Sequence, residues 1–330
     1  MMDYTDRHAR YLWRLISRHT LLYTEMITSA ALLHGDVSRL LAHHPDERPV
    51  ALQLGGSDPR TMAEAARLGV EFAYDEINVN VGCPSDRVRS GRFGACLMAE
   101  PKTVADCVEA IRRAVDVPVT VKTRLGIDHH DSYDFLRQFI ATVQAGGGEV
   151  FIVHARKAWL QGLSPKENRE IPPLDYEQVY RLKKDFPELE ISVNGGIRSL
   201  NEAMRHLQHV DGVMIGRAVF DNPWMLAEAD RKIFGGDSES PERSDVVSIY
   251  TEYCRREMEQ GVRMTELIRP LMGLAYGLPG ARRFRHDLSQ QARRPDASPV
   301  RIVRAWEALE ANITGGGSYK VFETDESGAG

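Results

Sequence analysis

The sequence predicts an α/β protein built as a (β/α)8 TIM barrel whose first strand is missing from this chain. Short apolar runs alternate with helix-like stretches along the first two thirds of the 330 residues, which is typical of a parallel sheet covered by helices. Seven such units over about 215 residues fit a barrel better than an open dinucleotide-binding sheet. In addition, no G-x-G-x-x-G motif opens a helix after an early strand.

Seven segments are predicted as strands because each is a short apolar run bounded by turn residues. In chain order they are Leu21–Ile27, Val50–Leu54, Glu76–Asn80, Val119–Arg124, Val150–Ala155, Ile191–Asn194 and Gly212–Gly216. Asp-Pro, Ser and Gly signals delimit helices between them: Pro59–Leu68, Pro101–Val115, Tyr133–Gln144, Tyr176–Phe186 and Leu200–Leu207. The first residues look like the loop and helix that follow a first strand. We therefore expect a truncated or mis-assigned start.

Composition and charge exclude several classes of protein. Hydrophobic residues make up 42% and charged residues 27% of the chain, which argues against general disorder. The net charge of −5 excludes a histone-like polycation, so contacts with nucleic acid must come from local basic patches. No C-x-x-C motif is present, which argues against a zinc ribbon, and no apolar run reaches the roughly 18 residues of a membrane span. We expect a cytoplasmic protein with reduced thiols, no metal and no membrane partner.

Polar side chains recur on one face of the predicted strands. Because strand residues alternate between two faces, five strands place an amide, amine or imidazole near the carboxyl end of the inward face, for example Gln53, Asn80, Lys122, His154 and Asn194. A single buried polar residue is usually a satisfied core group. Five in register at the mouth of a barrel indicate a ligand site.

Two glycine turns predict where a phosphate binds. Asn194-Gly195-Gly196 follows the sixth visible strand, and Ile215-Gly216-Arg217 follows the last. With the missing strand counted, these are strands 7 and 8, after which barrels commonly bind phosphate through glycine N–H groups. Arg217 could add a charge-assisted contact. The sequence therefore indicates a cofactor or substrate that carries phosphate.

Cys83 stands apart from the other cysteines, Cys96, Cys107 and Cys254. A free cysteine is most often a small buried hydrophobe, and we assign that role to the other three. Cys83 lies between Gly82 and Pro84, directly after a predicted strand. A fixed loop at the barrel mouth makes Cys83 a candidate nucleophile or proton donor.

Long motifs resemble the tRNA-dihydrouridine synthases, in particular the A-type subfamily, which acts on uridines 20 and 20a of the D-loop. They are VALQLGGSDP, DEINVNVGCPSDRV, GACLM, VTVKTRLGID, FIVHARKAWLQGLSPKENREIPPLDY, SVNGGI and DGVMIGRA. The resemblance runs closely from Met1 to about Phe234, and extends through GLPGARRF into the C-terminal region. It implies an FMN-containing barrel, followed by a small helical tRNA-binding domain, that uses NADPH as reductant.

The resemblance also implies roles for individual residues. It makes Cys83 the catalytic acid that protonates C5 of uracil while reduced flavin delivers hydride to C6. The implied flavin contacts are Met1, Met2, Gln53, Lys122, His154, Asn194, Gly195, Gly196, Gly216 and Arg217. Met1 and Met2 match the end of the family's A-P-M-M segment, whose Ala-Pro and preceding strand are absent here. We therefore expect weak FMN binding or poor folding.

The predicted domain boundaries rest on this resemblance and on a stretch with the composition of a flexible linker. We expect a catalytic barrel over residues 1–234, a linker with the sequence GGDSESP over 235–241, a helical tRNA-binding domain over 242–313 and a disordered tail over 314–330. Seven arginines and two aspartates lie between Arg282 and Arg304, and such a basic block suits a phosphate backbone. The expected tRNA contacts are Asn80, which would touch the flipped uridine, and Arg87, Arg156, Lys166, Arg169, Arg283 and His286.

Two other functions remain open on the sequence. Lys122 could form a Schiff base in an aldolase-like barrel enzyme, which would explain the lysine and the phosphate turns but not Cys83. A non-catalytic RNA-binding protein on a degenerate barrel would explain the absent strand. Absorbance near 450 nm distinguishes the first from a flavoprotein, and the dihydrouridine content of tRNA distinguishes the second. We expect a monomer.

Overall fold

The structure is a computed structural model that describes residues 1–85, 88, 91–236 and 240–315, the side chains of 314 and 315 excepted. The chain divides into two compact units, the first spanning Met1–Ser240 and the second beginning at Pro241. Within the described residues, no helix has both the length and the apolar character needed to cross a membrane.

The first unit is built on a sheet of seven parallel strands. They are β1 (Leu22–Thr28), β2 (Val50–Gly55), β3 (Glu76–Asn80), β4 (Val119–Arg124), β5 (Val150–His154), β6 (Glu190–Asn194) and β7 (Gly212–Met214). Each strand pairs with the next one along the chain, in the order β1-β2-β3-β4-β5-β6-β7. This incomplete barrel with outer helices confirms the predicted fold class, and β3 and β4 have the predicted bounds.

Helices connect the strands and surround the sheet. They are α1 (Arg7–Ile16), α2 (Ser29–His34), α3 (Val37–Leu40), α4 (Pro59–Glu71), α5 (Pro101–Arg112), α6 (Tyr133–Ala145), α7 (Tyr176–Asp185), α8 (Leu200–His206), α9 (Arg217–Asp221) and α10 (Ala229–Lys232). The side chain of Asp58 caps α4, and that of Ser132 caps α6. These are the sequence signals that predicted both helix starts.

The two faces of the sheet differ as the alternation predicted. Leu52, Ile77 and Phe151 are fully buried on the outer face, where the helices pack. A Cβ added to Gly69 of α4 would lie 2.6 Å from Cδ2 of Leu52, so glycine allows this helix to approach the sheet. The inner face carries the polar residues, among them Asn78, which has no exposed surface.

The second unit consists of helices. They are α11 (Arg243–Glu259), α12 (Met264–Leu267), α13 (Leu271–Leu274), α14 (Ala281–Ala292) and α15 (Val300–Gly315). On α14 the buried residues are Ala281, Phe284, Leu288 and Ala292, the spacing of an amphipathic helix. The expected tail and linker fall partly outside the described residues, which exclude 237–239 and 316–330.

Candidate functional site

The polar residues of the inner face lie on neighbouring strands in register. Asn80 of β3 pairs with Lys122 of β4, and His154 of β5 pairs with Asn194 of β6. Lys122 Nζ donates a hydrogen bond to Asn194 Oδ1 at 3.2 Å. The lysine side chain therefore reaches from β4 to β6 across the inner side of β5, and the structure brings these predicted residues together.

A second set of contacts joins Gln53 to the cysteine loop. Asn80 Nδ2 donates to Gln53 Oε1 at 2.8 Å. Asn80 Oδ1 in turn accepts the backbone N–H groups of Gly82 and Cys83, at 3.2 and 3.0 Å. Cys83 is half-buried, and its loop is thus tied directly to the polar residues of the sheet.

Arg124 holds the same loop from another side. Its Nε donates to the carbonyl of Gly82 at 2.9 Å, and its Nη1 donates to the carbonyls of Lys157 and Asn168 at 3.1 and 3.0 Å. The Asn168 amide bonds to backbone within the segment, accepting from Trp159 N at 2.8 Å. One buried guanidinium therefore connects the cysteine loop to the segment after β5.

Gly94 lies directly beneath Cys83. Its φ is +71°, and the next residue, Ala95, donates its N–H to the Cys83 carbonyl at 2.9 Å. A Cβ at position 94 would lie 2.6 Å from that carbonyl oxygen and would also collide with Val88. Glycine is required here both for its backbone conformation and for the close approach.

The predicted glycine turns border His154. Gly195 has a φ of +111°, and a Cβ added to it would lie 2.5 Å from His154 Cδ2. The carbonyl of Gly195 accepts a hydrogen bond from the Tyr176 hydroxyl at 2.6 Å. At the other turn, a Cβ added to Gly216 would lie 3.2 Å from Met1 Sδ. Gly196, next to Gly195, also has a positive φ, of +73°.

Positive charge accumulates around His154 and Cys83. The pKa of His154 lies well below its usual value, mainly because the ring is buried and also because four cations are near it: Arg124, Lys122, Arg156 and Arg169. The ring is therefore neutral at pH 7. Burial and the neighbouring Arg124 lower the pKa of Lys122 to about 8, against a small opposing effect of Cys83. Burial lowers the pKa of both Arg156 and Arg169, and the nearby charge of Arg217 lowers them further.

Two buried nitrogen atoms of this cluster have no hydrogen-bond partner among the described residues. They are Nε of Arg156 and Nε of Arg169. Arg217 has a partner, since its Nη1 lies 2.9 Å from Glu170 Oε1. Buried donors without acceptors are uncommon in folded proteins, so the arrangement favours an anion as ligand. Within the same described ranges, no group of three His, Cys, Asp or Glu residues could hold a metal ion.

The side chains of the other predicted contacts have no described hydrogen bond to this cluster. Met2 is 56% exposed and Lys166 is also exposed. Arg283 and His286 are exposed on α14 of the second unit, and Arg283 Nε lies 3.4 Å from Asp287. Arg87 is outside the described residues.

Sequence reasoning missed Arg124, Asn78, Thr120 and Asn168 as parts of the site. A usable signal existed for Arg124 and Thr120, because both share the inward face of β4 with Lys122. Asn168 carried no such signal, since it lies outside the strands, in a short 3₁₀ turn (Glu167–Arg169) beyond β5.

Fold and site together describe an incomplete α/β barrel that gathers polar and cationic side chains at the carboxyl ends of its strands. The model of the dihydrouridine synthase (Dus) family matches residues 1–310. The tRNA-dihydrouridine(20/20a) synthase of Vibrio cholerae serotype O1 (strain ATCC 39315 / El Tor Inaba N16961) is 58% identical over 298 residues, which cover 90% of this chain and 91% of that protein. The protein of that name from Escherichia coli (strain K12) is 57% identical over 298 residues, covering 90% and 86%. The chain belongs to the dihydrouridine synthase family, which confirms the resemblance seen in the motifs.

A solved structure supports the fold alone. The complex of 2-naphthoyl-CoA reductase with 2-naphthoyl-CoA aligns with a TM-score of 0.50 at 13% identity, covering 68% of this chain and 46% of that one.

Proposed function

We propose that this protein is a tRNA-dihydrouridine synthase that reduces the C5–C6 double bond of uridines 20 and 20a in the D-loop, with FMN as cofactor and NADPH as reductant. Its family membership and the names of its relatives support the reaction. The observation that carries the chemistry is the half-buried Cys83, held by Asn80 and Arg124 beside a cluster of cations. We further propose that the protein works in the cytoplasm as a monomer.

The residues around His154 fit FMN. Enzymes of this family are in general flavin-dependent, and a flavin phosphate would satisfy the unpartnered Nε atoms of Arg156 and Arg169. Gly195 and Gly196 both have positive φ, which glycine adopts readily, and the missing Cβ of Gly195 lets the ring of His154 pack against this turn. The other proposed contacts are Met1, Met2, Gln53, Lys122, His154, Asn194, Gly216 and Arg217. When bound, the flavin supplies the hydride that adds to C6 of uracil.

Cys83 completes the reduction by giving a proton to C5. As a thiol it can act as a general acid without forming a covalent bond to the base. The uridine must leave the tRNA stack to reach it, and Asn80 would contact the extruded base. Lys122 supplies positive charge, while the neutral ring of His154 supplies one hydrogen-bond donor and one acceptor.

The affinity for FMN is expected to fall as the pH rises from 7 to 9. Lys122 is charged below its pKa of about 8 and neutral above it, whereas the FMN phosphate is a dianion throughout this range. Fluorescence titration of FMN should show a several-fold rise in Kd. In Lys122→Met the affinity should be lower and nearly independent of pH. A wild-type Kd that is constant over this range would contradict the role of Lys122.

The second unit is proposed to bind tRNA through α14. Its buried residues face the unit's own core, so Arg282, Arg283 and His286 are exposed. Replacement of Arg283 by glutamate should weaken tRNA binding and reduce the slope of log K against log salt by about 1. A matched control is Arg255→Glu on α11, because Arg255 is held by Glu252 and Glu259. Equal effects of the two substitutions would refute a specific role for Arg283.

Dihydrouridine formation in unmodified tRNA, measured by mass spectrometry, tests the proposed function directly. The purified protein with NADPH should convert uridines 20 and 20a and should absorb near 450 nm. A colourless protein that is trapped by borohydride at Lys122 in the presence of a carbonyl substrate would instead indicate an aldolase. A protein that binds tRNA but forms no dihydrouridine would indicate a non-catalytic RNA-binding protein.

A further inference from the structure

A continuous chain of hydrogen bonds connects the deep part of the sheet to the cysteine loop. Thr120 Oγ1 donates to Glu76 Oε1 at 2.6 Å, and accepts from Asn78 Nδ2 at 2.7 Å. Asn78 Oδ1 accepts from Gln53 Nε2 at 2.8 Å. Gln53 Oε1 accepts from Asn80, whose own Oδ1 accepts the N–H of Cys83. We call these five side chains, from Glu76 to Asn80, the amide relay.

The direction of the amide relay is determined at both ends. Backbone N–H groups can only donate, so the atom of Asn80 that faces Gly82 and Cys83 must be its oxygen. Asn80 then presents its NH₂ group to Gln53, and each following amide takes the same orientation. At the far end, Glu76 accepts the hydroxyl proton of Thr120. No single amide can reverse without leaving a buried polar atom unpaired.

This direction limits which hydrogen bonds Asn80 can form with a ligand. Both acceptor positions of Asn80 Oδ1 are used by the N–H groups of Gly82 and Cys83. Its NH₂ group gives one hydrogen to Gln53 and retains the other. Asn80 can therefore only donate to a base, which suits a carbonyl oxygen of uracil. Asn78 has no exposed surface, and Glu76 and Thr120 are buried, so these three act only through their neighbours.

We infer that Glu76 and Thr120 are positioning residues for the reaction, which fix the amide of Asn80 and the position of Cys83 from deeper in the sheet. At roughly 3.3 Å per strand residue, Thr120, which pairs with Asn78, lies about 7 Å before the level of Asn80, and Glu76 lies about 13 Å before it. The inference rests on the proposed function for its catalytic consequence. Its structural part, the hold on the Cys83 loop, stands independently. A free amide at Asn78 would weaken its hold on Gln53 and, through Gln53, on the position of Asn80, and a loop displaced by about 1 Å can cost about 100-fold in rate.

Substitutions at Thr120 test the relay in the full-length protein. Thr120→Val has a similar shape but lacks the hydroxyl, whereas Thr120→Ser keeps it. Tyr23→Phe is a matched control, because the Tyr23 hydroxyl also donates to Glu76 Oε1, at 2.8 Å, but lies outside the relay. Two measurements are made: the rate of Cys83 alkylation by iodoacetamide relative to Cys96, and kcat and KM for tRNA.

In Thr120→Val, alkylation of Cys83 should accelerate several-fold and kcat should fall at least 10-fold, with KM for tRNA within twofold of wild type. Thr120→Ser and Tyr23→Phe should resemble wild type in both measurements. Unchanged alkylation in Thr120→Val, or an equal effect of Tyr23→Phe, would overturn the inference. If wild-type protein forms no dihydrouridine, the proposed function fails, while alkylation alone still decides whether the relay holds Cys83.

Discussion

Replacement of Cys83 by alanine is expected to reduce dihydrouridine formation by at least 100-fold. General acids typically contribute 10²- to 10⁴-fold, and a methyl group cannot supply the proton that C5 requires. The contacts that hold this loop come from the backbone, namely the N–H of Cys83 and the carbonyl of Gly82. We therefore expect FMN content and tRNA affinity to remain at wild-type levels. Rapid mixing of reduced protein with tRNA measures the loss directly.

Cys96 provides the control for this substitution. It is the other half-buried thiol among the four cysteines, and its Sγ bonds to the carbonyl of Phe93 at 3.1 Å. Cys96→Ala should keep nearly full turnover. A Cys83→Ala protein with more than a tenth of wild-type activity would remove Cys83 from the proton-transfer step.

Replacement of Arg124 by methionine is expected to produce the largest loss of stability. The side chain donates to three backbone carbonyls, those of Gly82, Lys157 and Asn168. Hydrogen bonds from a charged group contribute about 1.5–3 kcal/mol each. After discounting for relaxation, we expect a loss of at least about 3 kcal/mol. Because burial lowers the pKa of Arg124 to about 10, part of its contribution is offset by desolvation.

Thermal unfolding of the full-length protein checks this expectation. A loss of 3 kcal/mol corresponds to a fall of about 6–12 °C in Tm for a unit of this size. Arg112→Met is a suitable control, because Arg112 also bonds to a backbone carbonyl, that of Gly147, but is exposed. Its Tm should stay within about 2 °C of wild type. Arg124→Lys should recover little, since one ammonium group cannot reach all three carbonyls. An Arg124→Met protein as stable as the control would show that the three bonds contribute little.

Much of the fold could be predicted from periodicity. All seven strands were predicted, because a parallel strand buried on its outer face must be a short apolar run. The end of β7 was placed too late, at Gly216 instead of Met214. The run Ile215–Gly216 is apolar, but Gly216 already caps the start of α9. Apolar character alone does not distinguish a strand residue from the turn that follows it.

The site could be predicted only at strand positions. Alternation placed Gln53, Lys122, His154 and Asn194 on the inner face, and the structure joins Lys122 to Asn194. The partners of Arg124 could not be predicted. They are carbonyl groups, which every residue carries, so no sequence pattern marks the ones that meet a guanidinium. The orientation of the Asn80 amide could not be predicted either, because it depends on tertiary contacts with Gln53, Gly82 and Cys83.

The glycine under the cysteine loop has a consequence for engineering of this protein. No side chain of any size can be accommodated at position 94 unless Cys83 or Val88 moves. Directed evolution toward other substrates therefore has no route through this position, although it adjoins Cys83.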